Sequence, residues 1–174
     1  MDLTGKCALV TGASRGIGRA IAIALAKAGA DVAINFAGNE EAAKQTEDIC
    51  AAYGVNTLVI KADVANAAEC KEMVEKVKER FGKIDILVNN AGVSESTPFM
   101  EYTEETFDTV MDLNVKGVFN TTRAAAECMV ARGAGVILST SSMVSISGQS
   151  SGFAYPASKF AVNGLTVSLA RELG

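Results

Sequence analysis

The segment CALVTGASRGIG, residues 7–18, runs from an apolar stretch into a glycine-rich turn. The apolar stretch predicts a buried strand, and the helical spacing that starts at Ile17 predicts a helix directly after the turn. Gly12 permits a tight turn, Gly16 lets the backbone approach a phosphate, and Gly18 lets the helix lie against the sheet. Free N–H groups and the helix dipole would face that anion. The segment therefore predicts a strand-loop-helix unit that binds a dinucleotide pyrophosphate.

The glycines of this loop are spaced G-x-x-x-G-x-G, which differs from the G-x-G-x-x-G of the general dinucleotide fingerprint. A plain glycine-rich turn is the alternative interpretation, and the position between a strand and a helix favours the phosphate site. The cofactor contacts predicted in this loop are Gly12, Ser14, Arg15, Gly16, Ile17 and Gly18.

Along the rest of the chain, apolar runs alternate with stretches of helical period, which predicts repeated βαβ units and a parallel sheet. The predicted strands are Cys7–Thr11, Asp31–Phe36, Thr57–Ala62, Ile84–Asn89 and Val136–Thr140. Helices are predicted from Ile17 to Ala28, over Glu40–Tyr53, before Gly82, and over Glu104–Ala131 and Tyr155–Leu173, with loops at Ser94–Pro98 and Ser145–Gly152. Residues 1–174 are expected to form a single α/β domain with a doubly wound, Rossmann-like parallel sheet.

The composition limits the possible functions. Forty-nine percent of the residues are apolar, 21% are charged and the net charge is −4, so nucleic acid is not an expected partner. No basic N-terminal region precedes an apolar stretch and no 18 apolar residues run together, which predicts a cytoplasmic protein without membrane contact.

The chain has no histidine, which excludes Ser-His triads and His-ligated zinc, and we expect no metal. The four cysteines form no C-x-x-C pair and are expected to be small core residues.

A phenol and an ammonium group lie four residues apart in Tyr155-Pro-Ala-Ser-Lys159, on one face of a predicted helix. A phenol is a weak acid at neutral pH, and a nearby cation favours its ionised form. Reduction of a ketone requires a proton donor at the developing alkoxide, and Ser142 could hydrogen-bond the same oxygen. A Y-x-x-x-K pair by itself is more often a solvated helix face. The serine and the glycine-rich loop, in this order, favour a catalytic site.

Taken together, these motifs resemble the short-chain dehydrogenase/reductase family in its metal-free form, over residues 6–173. The resemblance rests on the 11–18 loop, Asp63-Val64, Asn89-Asn-Ala-Gly92, Asn114, Ser142 and Tyr155 to Lys159.

That resemblance implies roles for residues that the spacing alone does not assign. Asn90, Ala91 and Gly92 would line the cofactor, and Asp63 and Val64 would contact the adenine, although Asp63 could also be a turn or N-cap residue. Asn114 would kink its helix and hold a water that connects Lys159 to solvent, or it could be a buried amide satisfied by the backbone. Tyr155 would donate the proton, and both Tyr155 and Lys159 would also contact the cofactor, Lys159 at the nicotinamide ribose.

NADP is the predicted cofactor, with NAD as the alternative. Family members that prefer NAD usually carry an acidic residue at the end of the second strand, where this chain has Phe36 and its neighbours. Arg15 and the polar Asn35 and Asn39 suit a 2′-phosphate, because a guanidinium donates charge-assisted hydrogen bonds.

Residues 33–40 and the overall pattern resemble the 3-oxoacyl-(acyl-carrier-protein) reductases, which implies a carbonyl substrate, either a free small molecule or one bound to the acidic acyl-carrier protein. Arg132 is the residue expected to contribute a basic docking patch. A sugar, polyol or other secondary-alcohol dehydrogenase and a non-catalytic NADP-binding protein are the alternatives. The resemblance also implies a homotetramer built on the long helices.

Members of this family continue with a further strand, a substrate lid and a final strand, which residues 1–174 lack. We therefore expect the natural protein to be longer, and the Val136–Thr140 strand to lie at an apolar sheet edge.

Overall fold

The computed structural model describes residues Met1–Gly174 and contains five strands: β1 Cys7–Val10, β2 Asp31–Phe36, β3 Thr57–Lys61, β4 Ile86–Asn89 and β5 Val136–Ser139. All neighbouring strands are parallel, and their order in the sheet is β3-β2-β1-β4-β5. The chain therefore winds outward in one direction from β1 to β3, and in the other direction from β4 to β5. This confirms the predicted doubly wound α/β fold.

Seven α-helices cover or flank the sheet: α1 Gly16–Lys27, α2 Glu40–Ala51, α3 Ala67–Phe81, α4 Glu104–Met111, α5 Gly117–Arg132, α6 Val144–Ser147 and α7 Ala154–Leu173. A single 3-10 turn spans Phe99–Glu101, and a π-helical segment spans Asp112–Lys116. None of these helices combines the length and the apolar character that a bilayer crossing requires.

The apolar residues of each strand alternate between two separate cores. Cys7 and Leu9 of β1 face a core that α3 and α5 close, whereas Ala8 and Val10 face a core that α1 and α2 close. Because a parallel sheet with helices on both sides buries both faces, its strands are continuous apolar runs without polar alternation. This is why the strands were recognisable in the sequence.

The predicted helix Glu104–Ala131 is irregular at Asn114, where the resemblance implied a kink. The chain is helical throughout, but the π-helical segment separates α4 from α5 and contains the buried Asn114. A π segment inserts one extra residue into the helical turn and often occurs at functional sites.

The predicted loop Ser145–Gly152 is partly wrong, because its first residues belong to α6. The Ser145 hydroxyl donates to the Ser142 carbonyl oxygen at 2.6 Å, so serine side chains stabilise this single turn. Serine is common in loops for the same reason, since its hydroxyl can bond to nearby backbone groups.

β5 lies at the edge of the sheet, as predicted, and pairs only with β4. Val136 and Leu138 are 51% and 52% exposed, so one face of this strand is an uncovered apolar surface.

Arg132, the residue expected to contribute a docking patch, also has a structural role, and its part in docking stays a prediction. Its guanidinium donates to Asp85 Oδ1 at 2.6 Å and to the Ile84 carbonyl oxygen at 2.9 Å. Asp85 lies just before β4 and its other oxygen accepts from the buried Cys7 N–H at 2.9 Å. Arg132 therefore joins α5 to the N-terminal ends of β1 and β4, at the opposite edge of the sheet from the strands' carboxyl ends.

The electrostatic environment of Asp85 makes this contact dependent on pH. Burial by itself would raise the pKa of Asp85, but the Cys7 N–H, Lys83 and Arg132 outweigh it and hold the pKa below its usual value. A carboxyl group with a lowered folded-state pKa stabilises the fold above its unfolded-state pKa, and this contribution is lost as the pH falls through the folded-state pKa.

We predict that Asp85→Asn lowers the free energy of unfolding at pH 7 by about 2 kcal/mol, because a charged hydrogen-bond acceptor is lost. The difference between wild type and variant should shrink below about pH 4, as the wild-type carboxyl is protonated. Urea unfolding at pH 7 and below about pH 4 measures this difference in the free energy of unfolding. Asp48→Asn, on the exposed surface of α2, is the control, and a difference for Asp85→Asn that persists at low pH would contradict the assignment.

Candidate functional site

The carboxyl ends of β1 and β4 border a crevice where the winding of the sheet changes direction. In open α/β sheets, ligands bind at this switch point, because the loops from the two strands diverge there. The crevice holds an open cavity of about 550 Å³. It is lined by all the residues predicted to bind the cofactor outside α7, namely Gly12, Ser14, Arg15, Gly16, Ile17, Gly18, Asn35, Asp63, Val64, Asn90, Ala91 and Gly92.

The glycine-rich loop packs its backbone directly against the end of β4. Gly12 has φ +61°, and a Cβ atom there would lie 2.8 Å from Ala91 Cα. A Cβ atom on Gly18 would lie 2.4 Å from the Gly12 carbonyl oxygen and 2.5 Å from Asn90 Nδ2. A Cβ on Gly16, by contrast, would have no atom within 4 Å. The loop is therefore closed toward the sheet and open toward the cavity.

Thr11 and Asn90 hold the two loops together. The Thr11 hydroxyl accepts from the N–H groups of Asn90 and Ala91 at 2.9 and 3.0 Å. In return, Asn90 Nδ2 donates to the carbonyl oxygens of Thr11 and Gly12 at 3.0 and 3.3 Å. The Asn90 side chain thus shapes the floor of the cavity. The sequence reasoning did not assign this role to Thr11.

Asn35 lies below the cavity, and its geometry does not support the expected contact with a phosphate. The residue is 1% exposed, and its Oδ1 accepts from Gly12 N–H at 3.2 Å. Its Nδ2 donates to the Ala62 carbonyl oxygen at 3.0 Å. Asn39 likewise caps α2 by accepting from Ala42 N–H. Asn35 therefore supports the glycine turn from below. Of the three residues predicted to contact a phosphate, Arg15 is the one whose side chain remains free at the cavity.

Two arginines of the loop region have different environments. Arg15 is exposed at the start of α1, and its guanidinium makes no hydrogen bond or ion pair within the chain. Arg19 donates to the Ser14 carbonyl oxygen at 2.6 Å and to the Ala42 carbonyl oxygen at 2.9 Å, which ties the loop to α2. Sequence reasoning missed Arg19, since its role depends on where α2 packs.

Asp63 and Val64 border the cavity after β3. Asp63 Oδ1 accepts from Ala65 N–H at 2.9 Å, so Asp63 has the turn role that is the alternative to an adenine contact. Asn120 on α5, which the sequence analysis did not single out, donates to the Val64 carbonyl oxygen at 3.0 Å. The turn is therefore anchored to α5, and its residues line the cavity from the side of β3.

Tyr155 and Lys159 lie one helical turn apart on α7. Lys159 is 6% exposed, and its Nζ lies 5.6 Å from the centroid of the Tyr155 ring. The ammonium donates to the Thr140 carbonyl oxygen at 2.8 Å, which leaves two of its N–H donors without a protein partner. Burial lowers the pKa of Lys159, because the charged form loses hydration.

Ser142 follows β5, two residues after the carbonyl group that accepts from Lys159. It is half-buried, and its carbonyl oxygen accepts from the N–H of Ser145 at 3.0 Å. The bond between Lys159 and Thr140 therefore connects α7 to the short segment that carries Ser142.

Asn114 links the π segment to the loop after β4 and to α7. Its Oδ1 accepts from Val93 N–H and its Nδ2 donates to the Val93 carbonyl oxygen, both at 2.8 Å. Nδ2 also donates to Ser158 Oγ at 3.0 Å. A Cβ atom on Gly92 would lie 3.1 Å from Asn114 Oδ1 and 3.8 Å from Lys159 Nζ, so these groups surround Gly92. The amide is satisfied by backbone, and the water relay stays a prediction.

Comparisons with known proteins agree with this arrangement. The sequence model of the family described as short chain dehydrogenase matches residues 6–174. A 3alpha-hydroxysteroid dehydrogenase of Mediterraneibacter gnavus is 50% identical, over 100% of this chain and 70% of the relative. A 3-oxoacyl-(acyl-carrier-protein) reductase of Staphylococcus aureus is 46% identical, over 97% of this chain and 68% of the relative. The crystal structure of an NAD⁺-bound xylitol dehydrogenase superposes with a TM-score of 0.96 at 34% identity, covering 99% of this chain and 66% of that one.

We predict that Gly18→Ala lowers the free energy of unfolding by about 2 kcal/mol or more, because the new methyl group overlaps backbone and the Asn90 amide. Gly38→Ala changes a residue lining the same cavity, where a Cβ atom meets nothing within 4 Å, so it should shift stability by less than about 1 kcal/mol. Chemical unfolding of both variants measures this. Equal stabilities would show that the loop can move away from β4.

Proposed function

Because this chain belongs to the short-chain dehydrogenase family of oxidoreductases, we propose that it reduces a ketone with NADPH, and that the ketone is a 3-oxoacyl thioester on acyl-carrier protein. The observation that carries the proposal is the buried Lys159 ammonium. It lies one turn from Tyr155, is bonded to the segment before Ser142, and is close to Gly92 at the edge of the cavity.

The residues around the cavity fit a nicotinamide dinucleotide. The loop from Gly12 to Gly18 exposes backbone N–H groups at the start of α1, which suits a pyrophosphate. The two unpartnered N–H donors of Lys159 suit the hydroxyls of the nicotinamide ribose. When bound, this cofactor supplies or accepts the hydride.

The proposed mechanism divides the remaining chemistry among three side chains. Tyr155 donates its phenolic proton to the carbonyl oxygen while the carbonyl carbon gains the hydride, and the Ser142 hydroxyl hydrogen-bonds the same oxygen. The Lys159 ammonium stabilises the phenolate that remains. In the reverse direction the phenolate takes the proton from an alcohol. Asn114 holds Val93 and Ser158 in place beside these groups.

We predict that Tyr155→Phe lowers kcat by about 10²- to 10⁴-fold, because the proton donor is lost, and leaves the Kd for NADPH within about twofold. NADPH oxidation with an acetoacetyl thioester and fluorescence titration of the cofactor measure the two effects. Tyr53→Phe removes the same hydroxyl from an exposed tyrosine after α2 and is the matched control. Undiminished turnover in Tyr155→Phe would refute the mechanism.

The preference for NADP is supported by the charges at the end of β2. Residues 36–39 offer no carboxylate, and the unpaired Arg15 guanidinium stands at the same cavity. A 2′-phosphate would meet a cation there without repulsion. The NAD⁺-bound xylitol dehydrogenase shows that a closely similar fold binds the other cofactor, so NAD is the alternative.

We predict that Ala37→Asp raises the Kd for NADPH at least tenfold and leaves the Kd for NADH unchanged or lower, because a carboxylate repels the 2′-phosphate and accepts from a ribose hydroxyl. Ala37 is exposed at the cavity, so the side chain is accommodated. Ala37→Asn is the uncharged control. An equal loss of affinity for NADPH and NADH would contradict the proposed location of the ribose.

The second candidate function is oxidoreduction of another secondary alcohol, for which the hydroxysteroid dehydrogenase relative is the specific support. Met143 and Ile146, which follow Ser142, are 77% and 79% exposed and favour an apolar substrate over a sugar or polyol. Turnover compared among an acetoacetyl thioester, a 3-ketosteroid and a ketose separates these substrates. NADPH binding without turnover on any of them would favour a non-catalytic protein.

The proposed assembly is a homotetramer and the proposed location is the cytoplasm. Exposed apolar side chains on α5 and α7, including Phe119, Val130, Phe160 and Val167, support an oligomeric interface on these helices. All four cysteines are unpaired, which suits a reducing compartment. Burial raises the pKa of Cys7 and Cys70 to about 12, so these thiols are unreactive core residues.

A further inference from the structure

The helix that carries Tyr155 has no N-terminal cap of its own. α7 begins at Ala154, and the preceding Phe153 has no side chain that can accept a hydrogen bond. Pro156 has no N–H group, so the donors that need partners in this part of the first turn are those of Ala154 and Tyr155. Their partners must come from another segment.

Tyr102, in the segment between β4 and α4, supplies the partner of the Ala154 N–H, and Glu95 holds Tyr102 in place. The Tyr102 hydroxyl accepts from Ala154 N–H at 3.2 Å and donates to Glu95 Oε1 at 2.6 Å. Glu95 Oε2 accepts from Thr97 N–H at 2.9 Å. Burial by itself would raise the pKa of Glu95, but the hydrogen bonds from the Tyr102 hydroxyl and the Thr97 N–H, together with the nearby Tyr155 N–H, outweigh it and lower the pKa. The carboxylate is charged at neutral pH, and a negative charge stabilises a helix N-terminus.

Aromatic and backbone contacts hold the same two segments together. The Phe153 ring meets those of Phe99 and Tyr102 edge-on, with centroids 5.5 and 6.3 Å apart. Gln149 Nε2 donates to the Gly152 carbonyl oxygen at 2.9 Å and to the Glu95 carbonyl oxygen at 3.3 Å. The start of α7 is therefore fixed against the 95–102 segment on several sides.

We propose that Glu95 and Tyr102 are positioning residues that cap α7 from outside the helix and thereby fix the position of Tyr155, an inference that rests on the proposed function. On the next turn, Ser158 Oγ donates to the Tyr155 carbonyl oxygen at 2.7 Å and accepts from Asn114. The first turn of α7 is thus held at Ala154 by the cap and at the Tyr155 carbonyl by Ser158, which Asn114 holds in turn. Small displacements of a catalytic group can cost up to about 10²-fold in rate, so this placement affects turnover.

The test is Tyr102→Phe, which keeps the ring packing against Phe153 and removes both hydroxyl hydrogen bonds. We expect kcat for the ketone to fall about tenfold, with the Kd for NADPH within twofold of wild type. The amide hydrogens of Ala154 and Tyr155 should lose protection from exchange, because the Ala154 N–H loses its acceptor and the start of α7 loses its attachment to the 95–102 segment. Glu95→Gln keeps an oxygen acceptor and should retain more activity than Glu95→Ala.

Thr103→Ala is the matched control, since Thr103 caps α4 by accepting from Thr106 N–H at 3.1 Å in the same region but makes no hydrogen bond to α7. If Thr103→Ala lowers kcat as much as Tyr102→Phe at a similar loss of Tm, the role of the pair is structural and the proposal is overturned. Unchanged exchange at Ala154 and Tyr155 in Tyr102→Phe would overturn it as well. If the wild-type protein turns over no ketone, the proposed function is refuted. The cap would still be supported if Tyr102→Phe reduces the protection of the Ala154 and Tyr155 amides from exchange.

Discussion

The loop after β1 can touch the end of β4 only because residues 12 and 18 carry no side chain. A Cβ atom at position 12 would overlap Ala91, and a Cβ atom at position 18 would overlap the Gly12 carbonyl oxygen and the Asn90 amide. Close contact lets Thr11 and Asn90 exchange hydrogen bonds between the two strands. The floor of the cavity is consequently made of backbone and small groups, which leaves room for a large ligand at the start of α1. Every other residue of the site is arranged around that floor.

The side of the crevice next to α7 is organised by polar contacts, in contrast to the apolar layers on the two faces of the sheet. Lys159 is buried and gives up hydration, and its bond to the Thr140 carbonyl oxygen compensates for part of that loss. Asn114 joins the loop after β4 to Ser158, and the Glu95–Tyr102 pair joins the segment before α4 to the start of α7. Groups that are distant in sequence are therefore placed by hydrogen bonds, whose directionality specifies orientation as well as proximity.

Much of the architecture could be predicted from local patterns. A strand buried on both faces must be continuously apolar, and a helix packed on a sheet must repeat its small residues at helical spacing, so the order of elements was readable. Two further features depend on tertiary contacts. Glu104–Ala131 has helical periodicity throughout, and the π segment arises from the tertiary contacts of Asn114 with Val93 and Ser158. Arg132 looks like an exposed cation in the sequence and is bound to Asp85, 47 residues away.

Local patterns are sufficient to predict the alternating strands and helices of the doubly wound sheet, the glycine-rich loop and the grouping of Tyr155 with Lys159, because each depends on residues close together in the chain. Tertiary structure alone decided which polar groups remain available to a ligand. Asn35 and Arg15 were both candidates for a phosphate contact, yet the Asn35 amide bonds to Gly12 and Ala62, whereas the Arg15 guanidinium has no partner within the chain. The physical reason is that a buried polar group must find a partner within the fold, and those partners come from other strands and helices.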